Sequence, residues 1–133
     1  MTAREAPKVR KKVLIVDDSA AVRRQVGEVL RSAGFQVMEA ADGVDGADSI
    51  RFHQDLALVI CDLNMPRLNG LDMLDKLQTE LAARQLPVVI LTTEAQPEAI
   101  ARARQSGAKG WIVKPCREQL LLRAVQKLTQ SNS

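Results

Sequence analysis

Two kinds of hydrophobic spacing alternate along the chain, and its first two segments show both. Residues 13–16, Val-Leu-Ile-Val, form a continuous β-branched apolar run of the kind found in strands buried on both faces. After residues 17–18 the apolar positions recur at helical spacing, with Ser19 at the N-cap position and Gly34 at the stop. These apolar positions are Val22, Val26, Val29, Leu30 and Ala33. We therefore predict a strand followed by a helix.

The same alternation continues along the rest of the chain. The further predicted strands are Phe35–Ala40, Leu56–Cys61, Val88–Leu91 and Trp111–Val113. The further predicted helices contain Val44 to Ile50, Leu71 to Leu81, Pro97 to Ser106 and Leu121 to Leu128. Five buried strands alternating with five helices predict an open, doubly wound α/β fold with a mostly parallel five-stranded sheet, helices on both faces and right-handed crossovers.

Length and charge divide the chain into one domain and two short ends. A chain of 133 residues with 46% hydrophobic and 26% charged residues is typical of a single globular domain. We expect residues 1–11 to form a basic, flexible arm that is solvated rather than bound to an anionic partner, residues 12–129 to form the domain, and residues 130–133 to form a polar tail. The basic residues at the start are Arg4, Lys8, Arg10, Lys11 and Lys12.

Composition also argues against several classes of protein. No apolar run is long enough for a membrane helix or resembles a signal peptide, so we expect a cytoplasmic protein without membrane insertion. Aromatic residues make up only 2% of the chain, which leaves few platforms for stacking nucleic-acid bases. Cys61 and Cys116 lie far apart in sequence and outside any CxxC pair, so both are expected to be free thiols.

Polar residues follow the predicted strands at the points where ligands bind in such folds. The residues at these strand ends are Asp17, Asp18, Asp62, Thr92 and Lys114. Because the carboxyl ends of parallel strands meet at one edge of the sheet, we expect these side chains to lie together. Each of them alone has a simpler interpretation as a cap, a turn residue or a surface charge. Their joint position at one edge favours a functional site.

Three carboxylates at one surface repel one another unless a cation lies among them. Hard oxygen ligands favour Mg²⁺ or Mn²⁺, and no arrangement of His and Cys nearby suits zinc. With the charge neutralised, one carboxylate can attack a phosphoryl donor and form an aspartyl phosphate. Lys114 would stabilise charge on the transferred group, and Thr92 would donate a hydrogen bond to the product.

With these residues in place, the chain resembles the receiver domain of two-component response regulators, particularly single-domain regulators of the chemotaxis type. The resemblance extends from Lys12 to Leu128. Its signature is the ordered set Asp17-Asp18, Asp62, Met65-Pro66, Gly70, Thr92 and Lys114-Pro115. The resemblance implies the flavodoxin-like strand order 2-1-3-4-5 and a cis peptide bond between Lys114 and Pro115.

The resemblance also implies a role for each residue of the site. Asp62 is the expected phosphoacceptor, and Asp17, Asp18 and Asp62 together with the backbone carbonyl of Asn64 are the expected metal ligands. Thr92 is expected to move toward the phosphoryl group while the Trp111 ring changes rotamer. The phosphoryl group would bond better to one of two arrangements and so shift the equilibrium between them.

The implied partners are a histidine kinase as phosphodonor, an output protein that docks near the fourth and fifth helices, and a phosphatase that assists hydrolysis. The domain is thus expected to be a signalling switch and not an enzyme with an external substrate, although it catalyses its own phosphorylation and slow dephosphorylation. Because no output domain follows the receiver, we expect no direct DNA binding.

Some positions depart from the usual receiver pattern. Trp111 stands where Tyr or Phe is common, Thr93 where a small residue is frequent, Asn69 where Asp is common and Cys116 where Phe is common. None of these changes removes a catalytic group. Asn64 and Glu94 fall at the positions that tune dephosphorylation in the family, and their pairing is similar to that in the chemotaxis regulators.

Three alternative functions remain open. A phosphatase of the haloacid dehalogenase type needs a second Asp two positions after its nucleophile, where this chain has Asn64. A flavodoxin-like cofactor binder needs a hydroxyl-rich phosphate loop after the first strand, where this chain has Asp17 and Asp18. A receiver that docks without phosphorylation would keep the fold and lose the chemistry. His53, the only histidine, is expected to lie at the surface without a function.

Overall fold

Five strands and five helices alternate in the computed structural model, which describes residues 10–130. The strands are β1 (Lys12–Val16), β2 (Gln36–Ala40), β3 (Leu56–Cys61), β4 (Val88–Thr92) and β5 (Gly110–Val113). The helices are α1 (Ala20–Ser32), α2 (Gly43–Phe52), α3 (Gly70–Arg84), α4 (Pro97–Gln105) and α5 (Glu118–Thr129). The predicted alternation is therefore confirmed.

All strands pair in parallel in one sheet with the order β2-β1-β3-β4-β5. This order confirms the doubly wound, flavodoxin-like arrangement that the receiver resemblance implied. The chain winds outward in one direction from β1 to β2 and in the other from β3 to β5, so the order reverses between β1 and β3. The crevice at such a reversal is where open α/β sheets bind ligands.

Helices cover both faces of the sheet and explain the unbroken apolar strands. Within β1, Leu14 and Val16 pack into one core layer with α2, α3 and α4, whereas Val13 and Ile15 pack into a second layer with α1 and α5. All four side chains have no solvent exposure. A strand buried on both sides has no position for a polar residue until it ends, so the first carboxylates follow it directly.

Local capping sets where the helices begin. The Ser19 hydroxyl accepts a hydrogen bond from the backbone N–H of Val22 at 3.2 Å, which confirms the predicted N-cap of α1. Asp42 and Asn69 cap α2 and α3 in the same way. Gly34 follows α1 with φ of +97°, a left-handed conformation that favours glycine and stops the helix.

A few predicted boundaries were wrong by one residue. Strand β2 begins at Gln36 because the N–H of Phe35 bonds the carbonyl of Leu30 at 3.1 Å and closes the end of α1. Helix α4 ends at Gln105, with Ser106 as its C-cap. Strand β5 begins at Gly110, one residue before the predicted start. Each difference lies at the end of an element, where periodicity does not determine the boundary.

The chain ends and the two cysteines can be compared with their predictions. Residues 1–9 of the predicted arm and residues 131–133 of the predicted tail lie outside the described residues. Lys11, within the arm, donates a hydrogen bond to the carbonyl of Thr129. Cys61 is buried and Cys116 half-buried, and both are free. No helix between residues 10 and 130 is long and apolar enough to cross a membrane.

Candidate functional site at the carboxyl edge of the sheet

Three carboxylates and one ammonium meet where β1, β3 and β5 end. Oxygen atoms of Asp17, Asp18 and Asp62 all lie within 4.8 Å of one another. Asp17 is 2% exposed and Asp62 8% exposed, while Asp18 is open to solvent. The Nζ of Lys114 lies 2.7 Å from Oδ2 of Asp17 and 3.1 Å from Oδ2 of Asp62. The strand ends thus bring together the four predicted charged residues.

Every polar group of Asp17 has a partner. Its N–H donates to the carbonyl of Ala40 at 3.0 Å, and its Oδ1 accepts from the N–H of Ser19 at 2.9 Å. Its Oδ2 accepts from Lys114, and its backbone carbonyl accepts from Nη1 of Arg23 at 2.6 Å. Burying a carboxylate without hydrogen bonds costs free energy, and these bonds offset that cost. The position of this side chain is therefore tightly determined.

The backbone of Asp62 is bound to β1, and its carboxylate is bound to the loop that follows β3. Its N–H donates to the carbonyl of Val16 at 2.9 Å. Its Oδ1 accepts from the N–H of Leu63 at 2.7 Å and lies 3.4 Å from the N–H of Asn64. Its Oδ2 contacts Lys114. One carboxylate oxygen thus faces the backbone of the loop, and the other faces the ammonium.

Lys114 remains charged between its two acidic neighbours. Burial alone would lower the pKa of its ammonium, but the hydrogen bonds and charges of Asp17 and Asp62 outweigh burial and raise that pKa above its usual value. The Lys114–Pro115 peptide bond is cis, which confirms the expectation from the family resemblance. The backbone N–H of Lys114 bonds the carbonyl of Thr92 at 2.8 Å, which attaches this residue to the end of β4.

A second row of residues links the end of β4 to β5. Thr92 is fully buried, and its Oγ1 accepts from the N–H of Glu94 at 3.3 Å. Among the described residues, no hydrogen bond joins Thr92 to the carboxylates. The Trp111 indole is half-buried against the core and donates from Nε1 to the carbonyl of Glu94 at 3.2 Å. Thr92 and Trp111 therefore both bind the backbone of Glu94, which lies in the loop between β4 and α4.

Two glycines allow the loop after β3 to pack closely. A Cβ on Gly70 would lie 2.3 Å from the backbone oxygen of Asp62, and one on Gly43 would lie 1.8 Å from the backbone oxygen of Leu68. Between these approaches Arg67 adopts a left-handed φ of 68°. Its Nε donates to Oδ2 of Asp42 at 2.7 Å, so the loop is fastened to the start of α2.

The arrangement suits a small divalent cation. Its donors are carboxylate oxygens, the hard ligands that Mg²⁺ and Mn²⁺ prefer, and three carboxylates outweigh the single positive charge of Lys114. The solvent exposure of Asp18 leaves space for the water that Mg²⁺ retains. Asn64 donates its N–H toward Asp62, which places its peptide unit beside the three acids. The donor set therefore fits the ion that the sequence predicted.

The sequence of residues 13–126 matches the family model described as the response regulator receiver domain. The chain belongs to this family. Receiver domains generally bind Mg²⁺ at an acidic pocket, and Asp17, Asp18 and Asp62 form an acidic cluster at the carboxyl edge of this sheet. The receiver is a signalling switch domain.

Similar proteins and a similar solved structure belong to the chemotaxis proteins. The receiver is 32% identical over 122 residues to chemotaxis protein CheY1 of Helicobacter pylori, covering 91% of this chain and 98% of the relative. It is 32% identical over 123 residues to a chemotaxis protein CheY homologue of Campylobacter jejuni, covering 92% and 95%. The structure of chemotaxis protein CheY4 of Vibrio cholerae superposes with a TM-score of 0.83 at 33% identity, covering 90% of this chain and 99% of that one.

Sequence reasoning missed the residues that support the site from outside it. Arg23 and Arg67 were not singled out, because their contacts join elements that are remote in sequence. Asp42 did carry a detectable signal, since an Asp followed by Gly before a helical segment is a typical N-cap. Of the predicted site residues, the three acids, Thr92 and Lys114 lie at strand ends, whereas Asn64 and Glu94 lie in loops and Trp111 lies within β5.

Proposed function

We propose that this receiver accepts a phosphoryl group from a histidine kinase onto Asp62 and thereby changes its affinity for a protein partner. The observation that carries the proposal is the shared ammonium of Lys114, which contacts Asp17 and Asp62 within a triad of acids. The Lys114 ammonium joins two carboxylates from the ends of different strands at the ligand-binding edge of the sheet. This ammonium lies where charge would develop on a group bound to Asp62.

In the proposed reaction, Oδ2 or Oδ1 of Asp62 attacks the phosphorus atom of a phosphohistidine. A phosphorus–oxygen bond to Asp62 forms, the phosphorus–nitrogen bond breaks, and the imidazole nitrogen leaves with the electron pair. The backbone N–H of Leu63 fixes Oδ1 and so orients the carboxylate before attack. Lys114 is already within 3.1 Å of Oδ2, so its ammonium is near the oxygens of the incoming group.

Asp17, Asp18, Asp62 and the backbone carbonyl of Asn64 would hold the Mg²⁺ or Mn²⁺ ion. When bound, the ion supplies positive charge that offsets the charge of the phosphoryl oxygens. The ordered partners of Asp17 prearrange its carboxylate for this task.

Phosphorylation would reach the surface through the loop between β4 and α4. A phosphoryl oxygen near Asp62 would accept a hydrogen bond from the hydroxyl of Thr92, and movement of Thr92 toward it would lengthen the bond that Oγ1 accepts from the N–H of Glu94. Movement of this loop would disturb the bond from Trp111 to the carbonyl of Glu94. The result would be a different face near α4 and α5, where Val113 and Leu120 are exposed for an output protein.

Removal of the phosphoryl group would be controlled at the mouth of the site. Asn64 is exposed beside Asp62, and Glu94 is half-buried on the neighbouring loop. Both residues can contact a water molecule or a phosphatase side chain that approaches from solvent. We propose slow self-catalysed hydrolysis that a phosphatase accelerates.

Mapping the modified residue tests the proposal. The receiver is treated with Mg²⁺ and acetyl phosphate, the acyl phosphate is reduced with borohydride, and peptides are sequenced by mass spectrometry. We expect reduction at residue 62 only. Labelling at another residue, or a phosphoryl group that resists the reduction, would contradict the assignment of Asp62.

A further inference from the structure

Arg23 joins the end of β1 to β2 beside the acidic site. From the first turn of α1 its side chain points back toward the amino end of the helix. Nη1 donates to the backbone carbonyl of Asp17 at 2.6 Å, and Nε donates to Oε1 of Glu39 at 2.9 Å. The side chain is only 18% exposed. The proposed phosphoryl transfer uses neither contact.

The carbonyl that Arg23 binds belongs to the peptide unit between Asp17 and Asp18. The carboxylate of Asp17 is fixed independently by Ser19 and Lys114. The carboxylate of Asp18, in contrast, has no hydrogen-bond partner among residues 10–130. Its place in the triad therefore depends on the backbone from which it projects, and Arg23 is the side chain that fixes this peptide unit.

We propose that Arg23 is a positioning residue that sets the affinity for the divalent cation by orienting the Asp17–Asp18 peptide unit, with Glu39 as its anchor. The inference rests on the metal site of the proposed function and deepens it. A charged donor makes a strong hydrogen bond to a carbonyl, and outer contacts of this kind change metal affinity by roughly 10–100-fold when removed.

Electrostatic repulsion alone predicts the opposite change in metal affinity when Arg23 is removed. A measured affinity therefore distinguishes orientation from charge. A guanidinium near a cation site repels the ion, so its removal should strengthen binding if charge were its main contribution. Glu39 lies 2.9 Å from Arg23 and 3.6 Å from Arg31, so it offsets part of that charge. We therefore expect the orientation of the Asp17–Asp18 peptide unit to outweigh the repulsion, so that loss of Arg23 weakens binding of the cation.

The test is a calorimetric titration of Mg²⁺ into the full chain and three variants. Arg23→Met removes the donors and keeps much of the side-chain length. Arg24→Met is the matched control, because Arg24 is the next residue of the same helix, is exposed, and makes no ion pair with a described residue. Arg23→Lys keeps the charge but cannot bind Asp17 and Glu39 with a planar fork.

We expect the Kd for Mg²⁺ to rise about tenfold in Arg23→Met, to rise in Arg23→Lys as well, and to remain unchanged in Arg24→Met. An unchanged or lower Kd in Arg23→Met would overturn the inference. If that variant does not fold, Arg23→Lys decides in its place: because it keeps the charge, a raised Kd supports the role in orientation, and a wild-type Kd overturns it.

The same titration separates this inference from the proposed function. A wild-type chain that binds no Mg²⁺ overturns the metal site and the role of Arg23 together. A wild-type chain that binds Mg²⁺ and is phosphorylated, beside an Arg23→Met chain of equal affinity, overturns the role of Arg23 alone. Unfolding in chelator, measured for each variant, shows whether stability and affinity change separately.

Discussion

At the scale of single residues, the site depends on one ammonium shared by two carboxylates. Lys114 lies 2.7 Å from Asp17 and 3.1 Å from Asp62, so it reduces the repulsion between the acids. The sequence placed these residues together because parallel strands end at one edge of the sheet. It did not indicate that Thr92 would pair with Glu94, since a hydroxyl at a strand end has several possible backbone partners.

Replacing Lys114 should slow phosphorylation without unfolding the receiver. In Lys114→Met we expect the initial rate of adduct formation at saturating Mg²⁺ to fall by about 10²-fold or more, because a fixed charge near the developing phosphoryl charge is lost. Intact mass spectrometry over time gives the rate. Lys109→Met is the matched control, since Lys109 is exposed and no ion pair joins it to a described residue. Equal rates in both variants would contradict the role of Lys114.

At the scale of the elements, backbone packing fixes the loop between β3 and α3. Gly43→Ala would place a Cβ 1.8 Å from the backbone oxygen of Leu68, so the start of α2 or the loop must shift. We expect a loss of about 1–3 kcal/mol or more in the free energy of unfolding, measured by urea denaturation. In Gly110→Ala the nearest atom would be 3.5 Å away, an ordinary contact, so this variant serves as the control. A similar small effect in both would show that the loop adapts freely.

The contact of Arg67 with Asp42 should make stability depend on pH. The carboxylate of Asp42 accepts hydrogen bonds from the Arg67 side chain and from the N–H of Asp45, and both bonds lower the pKa of Asp42. A carboxyl with a lowered pKa in the folded state stabilises the fold above its unfolded value of about 3.9, and that contribution is lost as pH falls through the folded value. The wild type should therefore exceed Arg67→Gln in unfolding free energy at pH 6, and the gap should close toward pH 2. A gap independent of pH would contradict this origin.

The central strands could be predicted because the runs 13–16, 56–61 and 88–91 contain no charged or strongly polar residue. The contact between Arg67 and Asp42 could not be predicted. The two residues lie 25 positions apart, and Arg67 adopts a left-handed backbone that is rare for residues other than glycine. The contact of Arg23 with the carbonyl of Asp17 likewise depends on side-chain direction in α1. Periodicity reports which face of an element is buried and does not report which long side chain reaches across to its neighbour.

At the scale of the whole molecule, metal binding and folding are linked. A ligand that binds only the folded state stabilises it by RT ln(1 + [L]/Kd), about 2.7 kcal/mol at 100 times Kd. We expect Mg²⁺ to raise the thermal midpoint of the wild type and chelator to reverse the increase. Asp18→Asn should lose the increase while keeping the metal-free midpoint, because Asp18 is exposed. An equal Mg²⁺ response in Asp18→Asn would remove Asp18 from the metal site.

The central claim is that Asp62 accepts a phosphoryl group with the help of a divalent cation. The most direct measurement is the intact mass of the wild type and of Asp62→Asn after incubation with acetyl phosphate, each with Mg²⁺ and with chelator. We expect one phosphoryl adduct in the wild type with Mg²⁺ and none in the other three samples. An undiminished adduct in Asp62→Asn, or none in the wild type despite measured Mg²⁺ binding, would contradict the account.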